Sequence, residues 1–345
     1  MNPEHIPQKY VPALLILAIV LAVCILPVSA ITVTDDAGMT ITLNATPSRI
    51  VSLSPSNTEI LADLGLTDRL VGVTDVCDYP PEIKNKTRIG GYSAISIEKV
   101  AAARPDLVVA SDLTPRETVG RLRDLGLPVA VIAPRNTGHM IRDLRMVGVL
   151  TGTERRAGEL AANLSDRVAA VRPCHSATGR PTVAHVVWHS PLYVSGNDTL
   201  QNDVIVLAGG ENVFATMNGW GTVSLEEFLM KNPDIIIVNG GGGMDSSQKD
   251  VILEAFMNNP QYASLSAVKN KRVYAVNADI ISRPAPRIVD AAEQVARLIH
   301  PECVTQAAAT PMTTATLPVK SPGFYAGSAV LLISLAILLR RGRKE

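Results

Sequence analysis

From residue 31 to about 137 the chain alternates short apolar runs with amphipathic stretches. Residues 31–43 alternate with period two around Asp35-Asp36-Ala37-Gly38, which predicts a β-hairpin. Residues 50–53 form an apolar run of strand length. Ser54-Pro55-Ser56-Asn57 then opens a helix to about Leu64, stopped by Gly65. Residues 70–73, 107–110 and 129–132 predict further strands, and 97–103 and 114–125 predict helices between them. Strand alternating with helix means a parallel sheet covered on both faces. The same pattern returns after residue 173, with strands expected at 183–187, 235–238 and 273–276 and helices at 203–208, 225–231 and 287–298. The fold class is therefore α/β, with two similar lobes built on mainly parallel sheets.

Two segments make the similarity explicit. GYSAISIEKVAAARPDLVVAS (91–111) reappears as GWGTVSLEEFLMKNPDIIIVN (219–239) at one constant offset. Gly91, Ser96, Glu98, Pro105 and Asp106 fall opposite Gly219, Ser224, Glu226, Pro233 and Asp234, and Tyr92 falls opposite Trp220. A single pair of copies, too far apart for a solenoid, indicates two lobes rather than an array. Between them, 138–172 contains one turn cluster, Thr151-Gly152-Thr153, and is rich in Ala, Arg, Leu and Glu at helical spacing from Glu154 to Val171. It predicts one long backbone helix, too stiff for wide hinge motion.

Both ends differ from this body. Residues 1–30 run from Lys9 through an apolar stretch to Val28-Ser29-Ala30, the order of a secretory signal cleaved after Ala30. Residues 304–320 are rich in Thr, Ala and Pro, a stalk-like composition that cannot bury a core. Residues 321–345 hold Ser321-Pro322-Gly323-Phe324, an apolar run to Leu339 and four basic residues, the pattern of a membrane anchor with a cytoplasmic tail. The tripeptide, short run and basic end also resemble PGF-type sorting signals that archaeosortases remove. Either reading leaves the body on the outer face of a cell membrane. The expected division is thus 31–137 and 173–303 for the lobes and 138–172 for the connecting helix.

Composition narrows the chemistry. Formal charge is zero and no body segment is strongly basic, which disfavours nucleic acid as a partner. Once the signal segment with Cys24 is removed, Cys77, Cys174 and Cys303 remain; they lack metal-ligand spacing, and their odd number argues against a full disulfide framework. His185 and His189 are four apart, but on a strand, where that spacing does not make a metal pair. Gly240–Gly243 lacks the Lys-Ser/Thr of a phosphate loop. No nucleophile–base pair is evident, so no metal, cofactor or enzymatic activity is expected.

The remaining candidates are aromatic and acidic. Aromatics make up 4% of the chain, and both tryptophans, Trp188 and Trp220, fall at strand-end positions together with Tyr79 and Tyr92. Open α/β folds place ligands at such edges. A ring covered there buries roughly 150–250 Å², enough for a flat, largely apolar ligand. Glu98 and Glu226 each follow a serine that can cap a helix. Singly they read as first-turn carboxylates favoured by the helix dipole; as a duplicated pair they suit a twofold partner with basic sockets. Arg283 and Arg287 around Pro284 and Pro286 suit an anionic group on a ligand or an ordinary helix start.

With these pieces placed, residues 31–300 resemble helical-backbone substrate-binding proteins of ABC importers for metal chelates, most closely the cobalamin-binding ones. The resemblance rests on Arg49–Glu59 (RIVSLSPSNTE), Asp78-Tyr79-Pro80-Pro81, Ser96-Ile97-Glu98-Lys99 and Arg283-Pro284-Ala285-Pro286-Arg287. It implies a corrinoid as transported ligand rather than cofactor, held by Tyr79, Tyr92, Trp188, Trp220 and Arg283. Glu98 and Glu226 would dock on a permease dimer powered by an ATPase. Where this chain has Tyr92, the best-known members carry tryptophan. A ferric-siderophore or haem binder shares the framework, and a stalked surface or adhesion protein is the alternative from another class.

Overall fold

The structure, a computed structural model, describes residues 30–171, 179–241 and 250–301, all within one compact unit. The expected signal segment, stalk and C-terminal anchor lie outside the described residues, as do Cys174 and Cys303. Among the described residues no helix is long and apolar enough to cross a membrane.

The chain opens with the expected hairpin, β1 (Ile31–Thr34) against β2 (Thr40–Leu43). There follow β3 (Ile50–Ser52), α1 (Pro55–Asp63), β4 (Leu70–Val73), α2 (Ile97–Ala102), β5 (Leu107–Ala110), α3 (Arg116–Asp124) and β6 (Val129–Val131). Four of these strands form one parallel sheet in the order β4-β3-β5-β6. Helices α4 (Thr137–Thr151) and α5 (Glu154–Val171) lead to the second lobe. That lobe comprises β7 (Thr182–His189), β8 (Leu192–Ser195), α6 (Leu200–Leu207), β9 (Glu211–Asn212), β10 (Trp220–Thr222), α7 (Leu225–Lys231), β11 (Ile235–Gly240), α8 (Val251–Asn258), α9 (Ser266–Lys269), β12 (Val273–Asn277), α10 (Ala278–Ser282) and α11 (Ile288–Ile299). Its sheet runs β10-β8-β7-β11-β12, with β9 paired to β7. Strands β7, β9, β11 and β12 pair parallel, while β8 pairs antiparallel with both β7 and β10.

Period-two alternation assigns the two faces of each sheet. Ile50, Leu107 and Val109 in the first lobe, and Val183, Ile235 and Ile237 in the second, enter one shared apolar core with α1, α4, α5, α6 and α11. The opposite faces, Val51, Val108 and Ala110 or Ala184, Ile236 and Val238, enter separate cores. The lobes are thus welded through a common core.

The connection departs from the single helix expected over 138–172. Gly152 ends α4 in a left-handed conformation (φ 67°, ψ 35°), which glycine adopts without a Cβ clash, and the chain folds back into α5. The two helices pack closely: a Cβ at Gly148 would collide with Ala157. Of the expected long helix, the segment from Glu154 to Val171 forms as one piece. Arg167 on α5 then pairs with Asp290 (2.6 Å) and Glu293 (2.8 Å) on α11. At the other end, Thr137 donates through both N and Oγ1 to Asp203 Oδ2 on α6.

The duplication extends to backbone detail. Ser96 caps α2 and Ser224 caps α7, each accepting from a backbone N–H three residues on. Arg104 (φ 45°) and Asn232 (φ 39°) end the two helices in the left-handed region, before Pro105 and Pro233. Asp106 then accepts from Ser48, and Asp234 from Thr182, pinning the start of the neighbouring strand in each lobe.

Candidate functional site

Strand β4 ends at Val73, and the chain enters a loop held from beneath. Arg88 Nη1 donates to the carbonyls of Thr74 (2.8 Å) and Cys77 (2.7 Å). The Cys77 sulfur lies 3.1 Å from Thr74 Oγ1 and 3.2 Å from Thr58 Oγ1, and burial pushes its thiol above the usual range. Cys77 is therefore an inert buried thiol. From this base the loop presents Asp78 and Tyr79.

Tyr79 is covered on one face by Arg287, whose guanidinium carbon lies 3.8 Å from the ring centroid. Arg287 is fixed in turn by Glu59 of α1: Nε donates to Oε2 at 2.8 Å and Nη2 to Oε1 at 2.6 Å. Arg283 Nη1 reaches the same carboxylate (2.9 Å) and Asp78 Oδ1 (2.8 Å), and its Nη2 pairs with Asp279 at 2.8 Å. Glu59 is 1% exposed. This knot joins the first lobe to the α10–α11 segment of the second. Arg283, expected at the ligand, is committed to three carboxylates.

Tyr92 lies in the segment between Gly90 and Ile95, which are bridged, just ahead of α2. Burial, with a smaller contribution from the Asp112 charge, pushes its phenol up to about 12, so it stays protonated.

In the second lobe, Trp188 and Trp220 lie within strands rather than just beyond the strand ends. Trp188 falls inside β7, because that strand continues through Trp188-His189 into a hairpin with β8. Trp220 begins the edge strand β10, opposite Ser195. Both rings are half-exposed, 41% and 47%, yet both spend their single donor internally. Trp188 Nε1 donates to the Ser190 carbonyl at 3.0 Å and Trp220 Nε1 to Gln201 Oε1 at 3.3 Å. Each tryptophan can therefore offer a partner its π face but no hydrogen bond. Tyr193 is exposed beside Trp188 across the hairpin, and the His189 ring lies 5.0 Å from Trp188.

Glu98 and Glu226 are fully exposed carboxylates in the first turns of α2 and α7. Their own backbone N–H groups, then Ser96 and Ser224, hold both below the ordinary glutamate range. The copies thus present one fixed negative charge each, by the same construction. Among the described residues no group of three or more His, Cys, Asp or Glu side chains could hold a metal ion.

Sequence reasoning missed Glu59 as the hub of the knot, and Gln201 as the partner of Trp220. Gln201 follows the Thr199 cap of α6, and Glu59 follows the Ser54 cap of α1; the sequence shows both caps but no local signal for either residue's partners.

Residues 50–280 match the family described as periplasmic binding protein. The chain belongs to that family. It is 29% identical over 311 residues to an ABC transporter substrate-binding lipoprotein of Bacillus subtilis, covering 84% of this chain and 96% of the relative. A vitamin B12-binding protein of Vibrio cholerae is 30% identical over 250 residues, covering 72% and 87%. The solved periplasmic vitamin B12-binding protein of Vibrio cholerae superposes with a TM-score of 0.66 at 28% identity, covering 75% of this chain and 99% of that one. A periplasmic haem-binding protein of Roseiflexus gives the same TM-score at 25% identity, covering 75% and 100%. As a periplasmic binding protein, the chain is a substrate-binding component of an ABC transporter.

Proposed function

We propose that this substrate-binding protein captures cobalamin or a related corrinoid outside the cell and delivers it to an ABC importer. The observation that carries this reading is the pair of half-exposed indoles whose N–H groups are already used. Such rings suit a flat ligand taken face-on between the lobes, with Tyr79 and Tyr92 on the opposite side. The vitamin B12-binding relatives favour a corrin over other flat ligands. Haem is the second reading, favoured by the Roseiflexus likeness. A ferric siderophore is less well served, because the arginines of the 283–287 segment are already neutralised by carboxylates.

Calorimetric titration of residues 31–303 with cobalamin, haem and ferric siderophores tests the ligand. Micromolar or tighter binding of cobalamin alone is expected; heat with haem only would replace the ligand and keep the transport role. Trp220→Ala is expected to weaken cobalamin binding about tenfold, equivalent to about 1.4 kcal/mol.

In the same reading Glu98 and Glu226 are the docking charges for a twofold permease, and an ATPase drives uptake. Solvent screens ion pairs at such exposed carboxylates, so they orient the loaded protein more than they hold it. The double variant Glu98→Ala/Glu226→Ala is expected to bind ligand with unchanged affinity and to support no uptake in whole cells. Loss of binding would refute that division of labour. The body is held at the outer membrane face by segment 321–345, or by lipid if its Pro322-Gly323-Phe324 signal is processed.

A further inference from the structure

We infer that Gln201 and Arg287 are positioning residues, each locking one aromatic wall so that its ring meets a flat ligand by its face. This rests on the reading above, that Trp220 and Tyr79 contact the ligand. Neither aromatic is oriented by its own backbone. Trp220 starts a three-residue edge strand and is half-exposed, and Tyr79 lies in a loop outside any helix or strand. Free rings at such places sample several rotamers, and ordering them on binding costs affinity.

Gln201 removes that freedom for Trp220. An indole N–H can only donate, so it fixes Gln201 with Oε1 towards Trp220 and Nε2 towards Ser282 Oγ, at 3.3 and 3.1 Å. Gln201 is 2% exposed, so its amide is shielded from water and spends both ends on these two bonds. Arg287 does the equivalent for Tyr79. Its fork is held by two bonds to Glu59, and its guanidinium carbon sits 3.8 Å over one face of the ring, so a ligand would meet the opposite face. A lysine cannot reproduce this, lacking both the fork and the flat surface. The two devices adjoin: Ser282, which receives Gln201, directly precedes Arg283, which shares Glu59 with Arg287.

The test uses the full-length protein and two double-mutant cycles read by cobalamin titration: Gln201→Leu with Trp220→Phe, and Arg287→Lys with Tyr79→Leu. Phenylalanine keeps a flat face but has no N–H to anchor. Gln201→Leu is expected to weaken binding about tenfold in the parent and less than twofold beside Trp220→Phe. Arg287→Lys is expected to behave likewise with and without Tyr79. A second readout needs no ligand: with Trp188→Phe in place, Trp220 is the single tryptophan, and Gln201→Leu is expected to lower its fluorescence anisotropy. Additive losses, or an unchanged anisotropy, would overturn the positioning roles. If the parent fails to bind cobalamin while the anisotropy falls, the ligand reading fails and the anchoring of Trp220 stands.

Discussion

Replacing Glu59 with alanine is expected to destabilise the body by about 3–5 kcal/mol, the usual cost of removing one partner from a buried ion cluster. The carboxylate accepts three hydrogen bonds from Arg283 and Arg287 while only 1% exposed. Without it, two guanidinium groups are left close together and partly buried. Arg283 keeps Asp78 and Asp279, whereas Arg287 loses both its hydrogen bonds and keeps the face of Tyr79 and the charge of Asp63. Urea unfolding of the wild type and Glu59→Ala should show a shifted midpoint with the same slope. Heating should show a loss of several degrees, at about 2–4 °C per kcal/mol for a body of this size. A change below about 1 kcal/mol would mean that the knot behaves as a solvent-screened pair.

The knot also marks where sequence reading stops. Strands β3, β5 and β11 could be read locally, since each is a short apolar run bounded by polar residues or a turn. The repeat was legible in still finer detail. Ser96 with Ser224 marked both helix starts, whereas the left-handed residues Arg104 and Asn232 ahead of the aligned Pro105 and Pro233 emerged only in the structure. The helical hairpin was half-legible: the turn cluster at Gly152 was visible, but composition on either side favoured a continuous helix. Strands β8 and β10 were missed because each is short and pairs antiparallel within a lobe expected to be parallel. That error moved Trp188 and Trp220 from within strands to just beyond the strand ends. Glu59 stood inside a quoted motif, yet its role depends on residues more than two hundred positions away, and no local period encodes such a pair. Gln201 likewise has meaning only once α6, α10 and β10 meet.

Acidification is expected to weaken the body through His185. Its side chain is fully buried in β7, with Nδ1 2.9 Å from Ser195 Oγ and Nε2 3.2 Å from Asn239 Oδ1. The Asn239 oxygen accepts, so Nε2 carries the proton and Nδ1 accepts from the serine hydroxyl. A neutral ring satisfies every bond in place, whereas a charged one must give up its hydration within the sheet. Burial accordingly lowers its pKa to about 4, against an ordinary value of 6.5; the bond to Asn239 opposes the shift only in part. The sign follows from proton uptake. Between pH 6.5 and 4 the unfolded chain binds a proton at this position that the folded chain refuses. The contribution of His185 is therefore complete above pH 6.5 and is lost as pH falls through about 4. At about 1.36 kcal/mol per unit, its loss is on the order of 3 kcal/mol. Two carboxylates act oppositely: burial raises Asp63 to about 6 and Asp143 to about 7, so their protonation favours the folded state over part of the same range. Comparison with His185→Gln separates the effects, since both carboxylates remain in the variant. The stability difference between wild type and His185→Gln, from urea unfolding at pH 7 and at pH 4, is expected to move in favour of the variant by about 3 kcal/mol. A constant difference would mean that His185 titrates alike in the folded and unfolded chains, and that the Ser195–Asn239 pocket can take up the charge.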